Sequence, residues 1–168
     1  NTADDGGAIY NNAKNSGSSA TLDKIINSEF KNNSAKYGGA IFNEASTSAT
    51  VTINTIDNVA FEGNTATSFG GAIYNEGTNS SITINGVSTF DSTTVFAGGA
   101  IYNKGTVTIN AGATFDGNTT YEHGGAIYNY DGTVTINDGA TFNSNTSSGS
   151  GGAIYNEGTN SSITINGV

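Results

Sequence analysis

The chain has 168 residues, 24 of them Gly, and neither Pro, Cys, Met nor Trp. The absence of Cys excludes disulfides and thiolate metal sites. Five basic residues, all Lys, against fourteen acidic ones leave a net charge of −9. That excludes the clustered Lys/Arg surface that binding to nucleic acid or anionic lipid requires. No 18 apolar residues run together, so no helix of this segment is expected to insert in a bilayer.

In chain order, Gly-Gly-Ala-Ile-Tyr-Asn begins at Gly6, Gly70, Gly98, Gly124 and Gly151, with a further copy at Gly38 that carries Phe42 in the Tyr place. Successive copies start 32, 32, 28, 26 and 27 residues apart. Recurrence at such a period marks a stacked repeat protein, whose domain is the whole array. Each motif is followed by a short alternating run, such as Thr106-Val107-Thr108-Ile109-Asn110. Next comes a Phe with Asn three residues later: Phe30/Asn33, Phe61/Asn64, Phe115/Asn118 and Phe142/Asn145, whereas Phe90 is followed by Thr93.

Period-2 alternation of Val, Ile and Thr between Gly-, Asn- and Ser-rich punctuation is a strand signal. The reading is all-β: a right-handed parallel β-helix, residues 1–168 forming one segment of about six coils, with three short strands to each repeat. Stacking at about 4.8 Å per coil gives a rod of roughly 25–30 Å. Neither a starting Met nor a signal peptide is present, and both ends fall within a repeat, so the segment is expected to be a window of a longer array. Residues 70–87 and 151–168 are identical, which points to duplication of a three-coil block.

Side-chain direction follows from the alternation. Ile9, Ile41, Ile73, Ile101, Ile127 and Ile154 are placed inside, as are pairs such as Val51/Ile53, Ile82/Ile84 and Val107/Ile109. The motif Ala, with Tyr10, Phe42, Tyr74, Tyr102, Tyr128 and Tyr155, then faces out or toward a corner, although short apolar runs also admit the opposite register. Outward Thr52, Thr83, Thr108, Thr135 and Thr164 form a hydroxyl-and-methyl column beside a second column of Thr and Ser. The aromatic stripe and the Thr column are the candidate interaction surface. Asn11, Asn43, Asn75, Asn103, Asn129 and Asn156 are expected to stack as a self-satisfying amide ladder. Asn54, Asn85, Asn110, Asn137 and Asn166 are expected to form a second one.

The paired Gly-Gly-Ala-Ile and Phe-x-x-Asn motifs resemble the repeat of the polymorphic outer membrane proteins, the chlamydial autotransporters. They also resemble the repeats of adhesin-like surface proteins of methanogenic archaea and other microbes. The resemblance covers essentially the whole chain. It implies an extracellular β-helical shaft or passenger used in adhesion.

Other chemistry is thinly represented. A β-helical polysaccharide lyase usually uses a basic residue, commonly Arg, and the chain has none. A hydrolase needs two carboxylates at a set separation, and Asp4-Asp5 is the one adjacent acidic pair. His123 is the lone histidine, without a sequence partner for a metal site or a dyad. Asn32, Asn79, Asn118, Asn145 and Asn160 sit in Asn-x-Ser/Thr. The expectation is a non-enzymatic, cofactor-free structural or adhesive shaft at the cell surface. Its expected partners are further copies of itself, or a host or glycan surface. Ice binding through the Thr-x-Thr lattice is the alternative, and a polysaccharide-active enzyme the remoter one.

Overall fold

The computed structural model describes residues 1–91 and 93–167; the last residue of the expected segment and of the duplicated stretch, Val168, lies outside the described residues. The chain winds into a parallel β-solenoid of about five turns. Every pairing between its strands is parallel. The first sheet stacks six strands in sequence order: Ile9–Ala13, Ile41–Ala45, Ile73–Glu76, Ile101–Asn103, Ile127–Tyr130 and Ile154–Glu157. Its register sets Ile41 opposite Ile9 and Ile73, and Asn43 opposite Asn11 and Asn75, so each motif lies on its own copy.

The second sheet departs from a plain three-strand coil. In the early repeats one long strand, Ser19–Lys31 or Thr50–Glu62, carries both the alternating run and the Phe. From Ser80–Asn85 and Thr89–Asp91 onward the same path is broken in two. A third sheet of five short strands (Ser34–Tyr37, Thr65–Phe69, Thr94–Val95, Thr119–Thr120 and Thr146–Ser147) follows the Phe-x-x-Asn corner.

The long and the broken strands meet through a bulge. Ile53 pairs with Ile82, but Ile56, not Ile53, pairs with Ile84, and Asp57 lies opposite Asn85. This corrects two expected alignments. Val51 lies opposite Ser80 and Thr52 opposite Ser81; Thr52 therefore leaves the Thr83 column. Asn54 leaves the second amide ladder and donates to Asp23 Oδ1 at 3.1 Å. The cause is length: Asn54 and Thr55 separate two inward positions that are only one residue apart in Ile82-Thr83-Ile84.

The motif Ala is the second correction. Ala40, Ala72, Ala100 and Ala126 have no exposed surface and join the central core beside the Ile column. Strand alternation does not reach back to Ala, because the strand begins at Ile. The amides of Ala40 and Ile41 both donate to the carbonyl of Ala72, each at 2.9 Å, and the arrangement repeats at Ala72/Ile73 with Ala100. A carbonyl has lone pairs for both, and the chain turns so that two consecutive side chains face inward.

The Gly-Gly pair makes this turn possible. Gly38 has φ +58°, a left-handed angle natural to glycine. Gly39 is needed for a different reason: a Cβ there would overlap the carbonyl oxygen of Gly71 in the next coil.

The central core is filled by the Ile column, the inward Val and Ile residues of the second sheet, and a ring column. Phe30, Phe61, Phe90, Phe115 and Phe142 stack in turn at centroid spacings of 5.0, 4.7, 4.6 and 4.7 Å. Their planes lie within 9° of parallel.

Candidate functional site

The Asn following each motif Tyr faces the interior. Asn43, Asn75, Asn103 and Asn129 have no exposed surface. From Asn11 to Asn156 each Nδ2 donates to Oδ1 of the next, at 2.8 Å in all five steps. The second amide hydrogen turns to backbone carbonyls, such as that of Thr106 from Asn75. The ladder thus satisfies itself without a ligand. A second ladder runs from Asn166 through Asn137 and Asn110 to Asn85, at 2.9, 2.8 and 2.6 Å. A third is not foreseen in the sequence reading, although Phe-x-x-Asn announces it. Asn33 donates to Asn64 at 2.9 Å, Asn118 donates to Asn145 at 2.9 Å, and Thr93 donates its hydroxyl to Asn118 Oδ1 at 2.6 Å.

The motif aromatics do face away from the central core, but they are covered. Phe42, Tyr74, Tyr102 and Tyr128 are 4–8% exposed and form a cluster of their own on the outside of the first sheet. Tyr155 is half-buried against it, and Tyr10 is 40% exposed. The cover comes from the last residues before each Gly-Gly. Tyr37 packs on Phe42 and Tyr74, Phe69 on Tyr102 at 4.5 Å, and His123 on Tyr155 at 4.4 Å. Burial of the aromatic face is the physical reason that the stripe presents so little open ring surface.

Carboxylates border the stripe. The Tyr10 hydroxyl donates to Glu44, and that of Tyr128 to Glu157. Burial, then Glu44, pushes the Tyr10 phenol up to about 12. The phenols of Tyr102 and Tyr128 are also raised, chiefly by burial and then by neighbouring Glu76 for Tyr102 and Glu157 for Tyr128. Three of the lysines lie over rings here: Lys36 over Tyr37 at 4.9 Å, Lys14 over Tyr10 at 5.7 Å and Lys104 over Tyr130 at 5.8 Å. Lys104 also pairs with Glu76 at 3.2 Å. An open groove of about 440 Å³ runs along this border, lined by Tyr10, Tyr37, Phe42, Phe69 and Tyr74 together with Asp5, Glu44, Glu76, Lys14 and Lys104.

On the second sheet, Thr83, Thr108, Thr135 and Thr164 stand in register across four coils. Beside them runs the column of Thr52, Ser81, Thr106, Thr133 and Ser162. His123 is half-buried and structural in its contacts, its Nδ1 accepting from the Ser150 amide at 3.0 Å. Of the Asn-x-Ser/Thr residues, Asn118 is fully buried and Asn145 half-buried in the third ladder, while Asn32, Asn79 and Asn160 are exposed. Among the described residues, no three His, Cys, Asp or Glu gather where they could hold a metal ion, and no helix is long and apolar enough to cross a membrane.

A further pair of aromatics is invisible to a reading by motif, because it lies outside every one of them. Phe96 and Tyr121 are 46% and 67% exposed in the middle of the array.

These features define a class: a parallel solenoid whose repeat is held by amide ladders inside and an aromatic layer outside. Four stretches, residues 27–44, 58–76, 112–130 and 139–157, match the Chlamydia polymorphic membrane protein repeat. Over those four stretches the chain is similar to the repeat of that family. Each matched stretch joins a complete Phe-x-x-Asn to the following Gly-Gly-Ala-Ile-Tyr/Phe-Asn. No curated protein and no solved structure matches the chain. Repeat and solenoid together fit an adhesin-like protein of the cell surface.

Proposed function

We propose that the chain is part of a non-enzymatic adhesive shaft outside the cell, a stiff rod that carries contact surfaces on its coils. The observation behind this reading is the fourfold match to a surface-protein repeat. It is supported by ladders that run unbroken through all six copies of the first strand and so favour rigidity along the axis. The acidic residues stand in columns along the stack, Glu44 opposite Glu76 and Glu62 opposite Asp91. In this reading the counterpart is a host or glycan surface, or further copies stacked along the axis or side by side. Beads coated with the purified chain are expected to adhere to epithelial cells or to one another, in a manner competed by soluble chain. Coated beads that bind neither cells nor each other would remove the adhesive reading.

A second reading has its own observation, the in-register Thr columns on the second sheet. Their spacing, about 4.8 Å from coil to coil, makes a regular lattice suited to ordered water. Thr is also simply a good residue for an exposed strand. Thermal hysteresis with faceted ice crystals would favour ice binding, and its absence would end that reading.

A further inference from the structure

Phe96 and Tyr121 stand in one outward column just past the strands Thr94–Val95 and Thr119–Thr120 of the third sheet. Glu122 N donates to Phe96 O at 2.9 Å, which sets Tyr121 opposite Phe96. Ala97 N donates to Ser68 O at 3.2 Å, and Ser148 N to Thr120 O at 3.1 Å. The column therefore reads Ser68, Phe96, Tyr121, Ser148. The flanking coils fill this place with serine, so the repeat does not require an aromatic there. Both rings nonetheless stand in water, 46% and 67% exposed, on adjacent coils about 4.8 Å apart. Phe96 meets Phe69 in a T-shaped contact at 6.4 Å and still keeps nearly half of its surface in water.

We propose that Phe96 and Tyr121 form a platform for a neutral sugar chain, and this rests on the adhesive reading above. Three observations select that occupant. Two side chains offer far less than the roughly 800 Å² per partner that a stable protein interface buries, so a second copy or a folded partner is not held by them alone. Of the five strands of this sheet only Ser34–Tyr37 carries a charge, Lys36. The nearby Glu122 lies 3.8 Å from His123. The surround is hydroxylic, with Thr119 and Ser148 exposed and Ser68 half-buried. An uncharged ligand with an apolar face and a rim of hydroxyls matches such a surface: the C–H face of a pyranose lies on the ring, and its hydroxyls meet serine and threonine. Two rings one coil apart fit successive units of an extended chain running along the solenoid axis.

The test compares the chain with Phe96→Ser and Tyr121→Ser, singly and together, each taking the residue its neighbouring coils use. Binding is measured on immobilised neutral β-linked and α-linked oligosaccharides, with sialylated and sulfated ones alongside, and urea unfolding is followed on the same samples. The expected result is retention on a neutral glycan, weakened about tenfold or more in the double variant, with an unchanged unfolding midpoint. Equal binding by the double variant, binding confined to anionic glycans, or no glycan binding by the parent chain overturns the proposal. Cell adherence of the same proteins separates the two readings. If parent and double variant adhere equally, the platform fails and the adhesive shaft stands; if neither adheres, the shaft reading fails as well.

Discussion

Asn75 donates its side-chain amide to Oδ1 of Asn103 at 2.8 Å, and neither residue has any exposed surface. Asn103 in turn donates to Asn129 and accepts from the Gly105 amide at 3.1 Å. Removing one rung therefore strands groups on both sides. Asn103→Ala is expected to cost about 2–4 kcal/mol, because buried donors lose their acceptor. The measure is the shift in urea midpoint. Asn143 is exposed and belongs to none of the three ladders; Asn143→Ala is the comparison and is expected to stay within about 0.5 kcal/mol. Equal effects at the two sites would deny the ladder its structural weight.

Two glycines distinguish backbone angle from coil spacing. Gly17 has φ +75°, and a methyl group added there would find no other atom within 4 Å. Gly17→Ala is therefore expected to lose only about 1 kcal/mol, the cost of a left-handed angle. Gly39 meets the carbonyl oxygen of Gly71 directly. Gly39→Ala is expected to lose about 3 kcal/mol or more, by forcing two coils apart. Urea titrations of both variants give the ordering, and a reversed one would place the constraint in the turn angle rather than in stacking.

Alkaline pH probes the aromatic layer. A phenol whose pKa is raised on folding favours the native state in its protonated form. That contribution is whole below the unfolded value, about 10, and declines as pH rises through the folded value, about 12 for Tyr10. Stability is expected to fall across this window, and ultraviolet titration should show buried phenols ionising later than free tyrosine. In Tyr10→Phe the loss between pH 10 and about 12 is expected to be smaller. An identical decline in the variant would show that ionisation of Tyr10 carries none of it.

Legibility in the sequence follows repetition. Ile41, Asn75 and Phe115 are placed correctly by pattern alone because each recurs with its neighbours, and a parallel stack puts like on like. The motif Ala is misplaced by alternation, which holds only within a strand, while Ala40 precedes one and shares an acceptor with Ile41. Thr52 and Asn54 are misaligned because the bulge beside Ile56 is written in spacing, not in residue type. The cover over Tyr74 is missed because the place before Gly-Gly, held by Tyr37 and Phe69, is Ala97, His123 and Ser150 in later coils and so gives no periodic signal. Phe96 and Tyr121 stay hidden for the converse reason: being unrepeated, they give no periodic signal.

Thr93 offers a test of the repeat as a set of rules. It stands where Asn33, Asn64, Asn118 and Asn145 stand, is fully buried, and its one hydroxyl proton is shared between two acceptors, the Gly99 carbonyl and Asn118 Oδ1. A threonine reaches the ladder on one side only through that hydroxyl, whereas an asparagine there would present a donor and an acceptor along the axis, as Asn118 does toward Asn145. Neighbouring coils hold Asn in the same surroundings of stacked Phe and Gly-Gly turn, so the volume should be accommodated with little strain. Thr93→Asn is therefore expected to stabilise the chain by about 0.5–2 kcal/mol, as restorations of a consensus residue commonly do, and to raise the urea midpoint. A lower midpoint would mean that the hydroxyl's bond to Gly99 outweighs the missing rung, and that the third coil is built around threonine.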